Sequence, residues 1–218
     1  MYFRNRSIDE ILNICRTAIE NSLSSPDIQT AVARFGYDEP TLQHGKDLLE
    51  DATSRHQRQV KEYNEQYAAT REYEEAFQAA HDQYMQFVQM SRVVFKNNMD
   101  SYQQLRLFGE RKRNFPEWIT QVRQYYTEAL DTPAIQTELA KWGITMERLQ
   151  GGQQLMEKTV DAQNRQQKES GEAQQATQER DVSIDALYSW TDDYLTIAEI
   201  ALKDKPQRLE QLGIVVKS

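Results

Sequence analysis

The chain has 218 residues, of which 39% are hydrophobic and 28% are charged, and its formal net charge is −8. This acidic balance disfavours general binding to nucleic acid or to anionic membranes, and the single cysteine, Cys15, excludes an internal disulfide. No apolar run approaches a membrane span and the N-terminus lacks a signal core, so we expect a soluble cytoplasmic protein with no membrane insertion and no nucleic-acid partner.

The predicted elements are all helices, because helix-forming residues dominate and no segment alternates with the period of a strand. Proline near the first position of a short helix and glycine just after its end mark several boundaries. The sequence therefore predicts an all-α fold. In chain order, helices are predicted at 7–23, 26–35, 39–104, 115–130, 133–142, 146–204 and 206–212.

The predicted helix at 39–104 has two possible arrangements. No Gly or Pro interrupts 46–108, and a 3.5-residue apolar period that starts at Leu42 continues through the helix. The segment forms either one helix of roughly 100 Å, at about 1.5 Å per residue, or a hairpin that turns near 68–70, and near 175–177 later in the chain. The unbroken period favours the single helix and an elongated antiparallel bundle or coiled coil. A compact bundle of up-down-up repeats is the alternative.

The chain aligns with itself without a gap when position 8 is placed over position 115. In this alignment 8–107 and 115–214 share 26 identities in 100 pairs, several times the number that chance would produce, and positions that it pairs are termed equivalent. This predicts duplication of one supersecondary unit. We expect a first repeat at 1–107, a charged linker at 108–116 and a second repeat at 117–218, packed as one structural unit with pseudo-two-fold symmetry.

The segment IAEIALKDKPQRLEQLGI at 197–214, together with GEAQQAT at 171–177, resembles an uncharacterised bacterial family of tandem all-helical proteins. The resemblance covers nearly the whole chain. It implies an all-helical fold and a bacterial origin. It implies no activity, since none is known for the family.

The motifs of the common metal and catalytic sites are missing from the sequence. None of His44, His56 and His81 lies in a His-Glu-x-x-His motif or follows a glutamate at the spacing of di-iron bundles. Cys15 lies on the apolar face of the first helix and aligns with Val122, which indicates a small buried hydrophobe and not a nucleophile. No catalytic serine motif or phosphate-binding loop is present. We therefore expect no metal, no cofactor and no catalytic residue.

Polar residues in the middle of the two long predicted helices are identical in the two copies, and they form the candidate site. Duplicated sequences usually retain core residues and let surface residues diverge, so retained polar residues need an explanation. Three are open: a polar layer that sets the register where the copies cross, a protein-docking surface, or a shared compositional bias. This set, termed the polar block, comprises Arg58, Gln59, Lys61, Glu62, Glu65 and Thr70, and their counterparts Arg165, Gln166, Lys168, Glu169, Glu172 and Thr177. Glu72 and Glu179 match in the same way.

Aromatic residues that recur at helical spacing predict a core stripe, with a ligand pocket as the alternative. These residues are Tyr63, Tyr67, Tyr84, Phe87, Trp190 and Tyr194. The leading prediction for function is a non-enzymatic helical scaffold or protein-interaction protein with an unidentified protein partner. The alternative is a small-molecule-binding or sensory bundle with an aromatic-lined pocket. A filled core favours the first, and a cavity between the rings favours the second.

Overall fold

The computed structural model describes residues 6–215, which contain eight helices and no strand. The all-α class predicted from the sequence is therefore confirmed for this part of the chain. The helices are α1 (Ile8–Ser24), α2 (Pro26–Ala33), α3 (Glu39–Val94), α4 (Met99–Gln104), α5 (Phe115–Asp131), α6 (Pro133–Lys141), α7 (Met146–Ala201) and α8 (Pro206–Gln211). α3 and α7 are each 56 residues long.

Side-chain caps define where α1 and α5 begin. Ser7 accepts a hydrogen bond from the Glu10 backbone N–H, and the Glu10 carboxylate accepts one from the Ser7 backbone N–H at 2.8 Å. At α5, the Asn114 side chain accepts from the Glu117 backbone N–H at 3.2 Å. These bonds satisfy backbone donors that have no partner within the helix.

Glycine ends the two short helices that follow. Gly36 has φ +91° and Gly143 has φ +79°, a left-handed conformation that glycine adopts without the steric cost of a Cβ. Tyr37 N–H then returns to the Val32 carbonyl, and Ile144 N–H returns to the Leu139 carbonyl. The chain can therefore turn sharply into the long helix that begins a few residues later.

The long helices are continuous where the hairpin alternative places a turn, both at 68–70 in α3 and at 175–177 in α7. The predicted end of the first long helix at 104 is wrong, because α3 ends at Val94 and α4 begins at Met99. Asn98 caps α4, its side chain accepting from the Ser101 backbone N–H at 3.2 Å. Neither Gly nor Pro marks this break. The end of α7 at Ala201, instead of 204, is a smaller correction.

The helices divide into two compact units. Unit 1 contains the described residues up to Asn64 and those from Gly171 onward, and unit 2 contains Glu65–Ser170. α3 and α7 each contribute part of their length to both units. The predicted repeats at 1–107 and 117–218 divide the chain differently, and they stay a prediction.

Unit 1 has a mainly aliphatic core. Its members are Leu12, Cys15, Ala18, Ile19, Ile28, Val32, Leu42, Leu49, Ala52, Ile184, Leu187, Tyr194, Leu195, Ala198, Leu202, Leu209, Leu212 and Ile214. Within this unit, Gly45 of α3 packs against the ring of Trp190 on α7. Further along α3, Arg55 Nη1 lies 2.8 Å from Glu179 Oε2 on α7. The residue number falls along α7 as it rises along α3, so the two helices pack antiparallel here.

Unit 2 has an aromatic core. Its members are Ala80, Tyr84, Phe87, Val88, Phe95, Leu105, Leu107, Trp118, Val122, Tyr125, Tyr126, Ala129, Ile135, Leu139, Ile144, Leu149 and Met156. Here Gln66 Nε2 of α3 donates to Ser170 Oγ of α7 at 3.3 Å. Thr159 Oγ1 of α7 donates to the Ala76 carbonyl of α3 at 3.1 Å. The long helices are therefore antiparallel in this unit as well.

The apolar register predicted for the middle of α3 is wrong. Val60, Tyr63 and Tyr67 are exposed, whereas Gln59 and Ala69 are buried. The buried face of α3 continues with a seven-residue spacing through the middle of the helix, and there the buried positions include polar residues such as Gln59. The predicted register instead selected Val60, Tyr63 and Tyr67, because these positions hold larger apolar side chains than their neighbours.

Candidate functional site

Unit 1 contains half of the polar block. Its members here are Arg58, Gln59, Lys61 and Glu62 on α3, and Glu172 and Thr177 on α7. Arg58 Nη1 lies 2.9 Å from Glu179 Oε2, and Arg58 Nε lies 3.6 Å from Glu62 Oε1. Thr177 Oγ1 donates to the Ala173 carbonyl of its own helix at 2.9 Å. Arg58 therefore connects a carboxylate on its own helix with one on the opposite helix.

Unit 2 contains the other half. Its members are Glu65 and Thr70 on α3, and Arg165, Gln166, Lys168 and Glu169 on α7. Arg165 Nη1 donates to Glu72 Oε2 of α3 at 2.9 Å. Gln166 Nε2 donates to Ser170 Oγ at 3.2 Å, and Lys168 Nζ lies 3.7 Å from Glu169 Oε1. An arginine on one long helix again pairs with a glutamate on the other.

Glu179 is the acceptor on which the unit 1 pairs converge. Its pKa is lowered from the ordinary glutamate value by the hydrogen bond from Gln175 and by the positive charges of Arg58 and Arg55. Gln175 Nε2 donates to Glu179 Oε1 at 2.8 Å, and both arginines approach Oε2. The carboxylate is therefore held ionised, which suits a charge pair and disfavours a role as a proton donor.

The glutamates of the polar block are more buried than the arginines. Glu62 is 8% exposed and Glu169 is 9% exposed, although carboxylates are costly to bury unless they are paired. Arg58 and Arg165 keep about half of their side chains in solvent. Equivalent positions of the polar block are thus buried to a similar extent. The arrangement is suited to setting the register of α3 against α7.

Two aromatic residues of the predicted core stripe, Tyr63 and Tyr67, are exposed, and that part of the prediction is wrong. Tyr84, Phe87 and Tyr194 are fully buried, as predicted. The rings of Tyr84 and Tyr126 lie 6.5 Å apart, and those of Phe87 and Tyr126 lie 6.4 Å apart. These rings pack against one another, so the protein itself occupies the space between them.

The aromatic residues of α5 were missed in the sequence. Trp118, Tyr125 and Tyr126 are all buried in unit 2, and their i, i+7 and i+8 spacing on one helix was the available signal. Trp118 Nε1 donates to His81 Nδ1 at 3.1 Å. Burial lowers the pKa of His81, and the nearby Arg113 adds to this effect, so the ring stays neutral and accepts this hydrogen bond.

Three buried tyrosine hydroxyls in unit 2 have different surroundings. The Tyr125 and Ser91 hydroxyls lie 2.8 Å apart in a hydrogen bond, and Arg111 Nη1 donates to the Tyr84 hydroxyl at 3.0 Å. The Tyr126 hydroxyl is buried without a hydrogen-bond partner among the described residues. Burial raises the pKa of all three.

Cys15 in unit 1 is completely buried, as predicted. Burial raises the pKa of its thiol to about 11. Because the thiolate is the nucleophilic form of cysteine, this thiol is a poor nucleophile at neutral pH.

A surface groove of about 540 Å³ lies between α1 and α3 of unit 1. It is lined by Asp9, Leu12, Asn13, Arg16, Thr53, His56, Gln57 and Val60. His56 Nε2 lies 3.3 Å from Asp9 Oδ1, and His56 Nδ1 is buried with no hydrogen-bond partner among residues 6–215. This groove, termed the His56 groove, offers polar groups of both charges to a small ligand.

Comparison with known proteins finds no matching family model, no similar curated protein and no similar solved structure. The resemblance to an uncharacterised bacterial family therefore stays a prediction. Within residues 6–215, no helix is both long and apolar enough to cross a lipid bilayer.

Proposed function

We propose that this chain is a non-enzymatic helical scaffold that binds another protein. The observation that carries the proposal is the filled aromatic core of unit 2, where Trp118, Tyr84 and Tyr126 pack against their neighbours. Ligand pockets are concave and lined by such rings, and here the rings are in mutual contact. In this proposal the partner protein is therefore bound by the exposed surface of the helices.

The helix boundaries support a duplicated architecture for this scaffold. The first and last positions of α1, α3 and α4 are equivalent to those of α5, α7 and α8 respectively, and α2 and α6 begin at equivalent positions. The proposed repeats therefore correspond helix by helix. In this proposal each repeat contributes helices to both units.

The ion pairs of the polar block support a pseudo-two-fold relation between the repeats. Arg58 pairs with Glu179 in unit 1. The equivalent positions hold Arg165 and Glu72, which pair at the same 2.9 Å in unit 2. The arginine of each repeat thus meets the glutamate of the other. We infer that the polar block sets the register of α3 against α7, and that it is not the docking surface.

Affinity capture with the intact chain as bait, followed by mass spectrometry of the bound proteins, tests the scaffold function. Native mass spectrometry of the purified chain should be run in parallel to detect any small molecule that stays bound. We expect a specific protein partner and a chain mass equal to that of the polypeptide alone. A stoichiometric small molecule without a protein partner would overturn the proposal.

A small-molecule-binding bundle is the second candidate, and the His56 groove favours it. A ligand in this groove would meet the exposed Asp9 carboxylate, which lies 3.3 Å from His56 Nε2. Thermal-shift screening of small polar compounds tests this, with His56→Gln as the variant, since glutamine occupies the equivalent position 163. A compound that stabilises the chain and loses its effect in His56→Gln would establish this second function.

A further inference from the structure

Two exposed hydrophobic residues lie together at one surface of unit 1. Phe35 follows α2 and is 48% exposed, and Ile200 in the last turn of α7 is 53% exposed. Both line one groove of about 360 Å³. Single exposed hydrophobic residues are common on protein surfaces, but an aromatic and an aliphatic side chain sharing one groove form a small apolar contact area.

Cations surround this apolar pair. Arg34, Lys203 and Lys205 line the same groove, and no ion pair to them is present among the described residues. Of the two carboxylates in the groove, Asp27 is paired with Arg208 at 2.5 Å, which leaves Asp204. The groove is therefore locally positive, although the whole chain carries −8. We term Arg34, Phe35, Ile200, Lys203 and Lys205 the end patch.

The equivalent positions in unit 2 repeat part of this pattern. The counterparts of Phe35 and Ile200 are Trp142 and Val93, and each is 55% exposed. Lys96 stands at the position of Lys203 and Lys141 at that of Arg34, but Lys141 is paired with Glu138 at 2.5 Å, and Asn98 replaces Lys205. The two exposed hydrophobic residues and one lysine are thus common to both surfaces, and the surface in unit 2 is the less positive one.

We infer that the end patch of unit 1, and with lower affinity its less positive counterpart in unit 2, each dock an acidic amphipathic helix of a partner protein. The inference rests on the scaffold function and names the partner's chemistry. Leucine-like side chains of the helix would cover Phe35 and Ile200, and glutamates beside them would pair with the three cations of the patch. A chain with one patch in each unit would hold two such helices.

An anionic membrane is the competing occupant, and the structure favours the helix. A net charge of −8 repels an anionic bilayer over its whole surface, whereas a narrow segment meets only the local positive groove. Stable membrane adsorption also requires an extended apolar helix face. The end patch presents two apolar side chains at the ends of helices.

Binding of a labelled synthetic probe to the intact chain tests the inference. The probe is a peptide of about five helical turns, designed with leucines along one face and glutamates beside them, and fluorescence anisotropy reports its binding. We expect saturable binding that weakens with salt, with two probes per chain. The combined substitution Lys203→Glu and Lys205→Glu should weaken binding at the unit 1 patch at least tenfold. Lys158→Glu, one substitution of the same type away from the patch, should have no effect.

The apolar half of the patch is tested by removing its side chains in one unit. Phe35→Ala with Ile200→Ala should reduce the stoichiometry from two probes to one, and circular dichroism should show an unchanged fold because the side chains are exposed. A probe with lysine in place of glutamate should bind at least tenfold more weakly. Equal binding of both probes, or binding that these variants leave unchanged, would overturn the inference.

Three further outcomes separate this inference from the scaffold function. Phe35-dependent binding to phosphatidylserine vesicles, with no binding of the peptide, would replace the helix by a membrane. A captured native partner that the patch variants retain would overturn the patch and leave the scaffold function in place. Probe binding without any captured partner would support the patch and count against the scaffold.

Discussion

Unit 1 and unit 2 have different side chains in their cores. In unit 1, α1 places Ala18 and Ile19 in the core, whereas α5 of unit 2 places Tyr125 and Tyr126 at the equivalent positions. The large ring of unit 1 comes from α7 instead, as Trp190. An aliphatic core and an aromatic core can thus each fill a unit of this chain, provided that the total volume is filled.

Glycine makes this exchange possible. Gly45 near the start of α3 lies against Trp190, and Gly152 at the equivalent position of α7 lies against Tyr126. In each case an added Cβ would collide with the ring. Gly45 thus receives a ring from α7 in unit 1, and Gly152 receives one from α5 in unit 2.

Alkaline pH should produce the largest difference between the units. Unit 2 buries Tyr84, Tyr125 and Tyr126, and burial raises the pKa of each. In unit 1, burial raises the pKa of Tyr194 to about 12. Because a tyrosine loses its proton near pH 10 in the unfolded chain and later in the folded one, the free energy of unfolding should be flat below about pH 9 and fall between about pH 10 and 12.

Replacing tyrosines by phenylalanine shows which unit causes this fall in the free energy of unfolding. Combined Tyr84→Phe and Tyr126→Phe should raise the pH of alkaline unfolding, measured by circular dichroism, more than Tyr194→Phe does. The reason is that the double variant removes two of the groups that must ionise. An equal shift in both variants would show that the aromatic core of unit 2 is not the alkali-sensitive part.

The glycines should give the next largest effect. Gly152→Ala and Gly45→Ala should each lower the free energy of unfolding by about 1–3 kcal/mol, because the methyl group overpacks the contact with the ring. Gly151→Ala is the matched control, since no atom lies within 4 Å of its added Cβ. It should stabilise the chain by up to about 1 kcal/mol through helix propensity. Urea unfolding measures all three.

A double-mutant cycle ties each glycine to its own ring. The cost of Gly152→Ala should largely disappear in a Tyr126→Leu background, and that of Gly45→Ala in a Trp190→Leu background. The crossed combination, Gly45→Ala with Tyr126→Leu, should be additive. Coupling in the crossed pair would contradict the assignment of one ring to each glycine.

Neighbouring tyrosines in α5 should respond oppositely to loss of the hydroxyl. Tyr125→Phe should cost about 1–2 kcal/mol, because the buried Ser91 hydroxyl loses its partner. Tyr126→Phe should be neutral or stabilising, since the Tyr126 hydroxyl has no partner among the described residues. Thermal unfolding of the two variants decides this, and a larger loss for Tyr126→Phe would refute it.

The ion pairs of the polar block should give the smallest effects. Arg58→Ala should lower the free energy of unfolding by up to about 1 kcal/mol and Arg165→Ala by less, because Glu72 is more exposed than Glu179 and screening weakens exposed pairs. Glu74→Ala is the control, since it is exposed. Asp181 is a poorer control because it pairs with Arg180 at 2.6 Å. Unchanged stability in both arginine variants would count against a register role.

Local signals predicted the helices more successfully than the site. Proline at the start and glycine after the end located α2 and α6, and the absence of both residues predicted the continuity of α3. The break after Val94 has no such signal, because a buried Phe95 and an Asn98 cap define it. Hydropathy also predicted the wrong buried face for the middle of α3, since the buried residue there is Gln59 and not Val60.

The matched polar residues were identifiable from the repeat, but their partners were not. Identity between equivalent positions selects Arg58 and Arg165 without saying which carboxylate each one meets. That choice depends on how far α7 is displaced along α3, which is a tertiary property. Only the structure provides it, by placing Arg58 beside Glu179.

Chemical crosslinking shows whether Arg58 of α3 meets Glu179 of α7 and Arg165 of α7 meets Glu72 of α3. In a Cys15→Ala background, cysteine pairs are introduced as Arg58→Cys with Glu179→Cys, and as Arg165→Cys with Glu72→Cys. A third pair, Arg58→Cys with Ala79→Cys, represents a chain that folds back near residue 69. A short bis-maleimide is added to the dilute monomer, and peptide mass spectrometry identifies the links.

We expect intramolecular links in the first two pairs and none in the third. Each of the first two pairs replaces residues whose side chains meet at 2.9 Å, whereas residues 58 and 79 lie about 30 Å apart along one helix, at about 1.5 Å per residue. A link between 58 and 79, with none between 58 and 179 or between 165 and 72, would contradict the continuous long helices and the ion pairs between them.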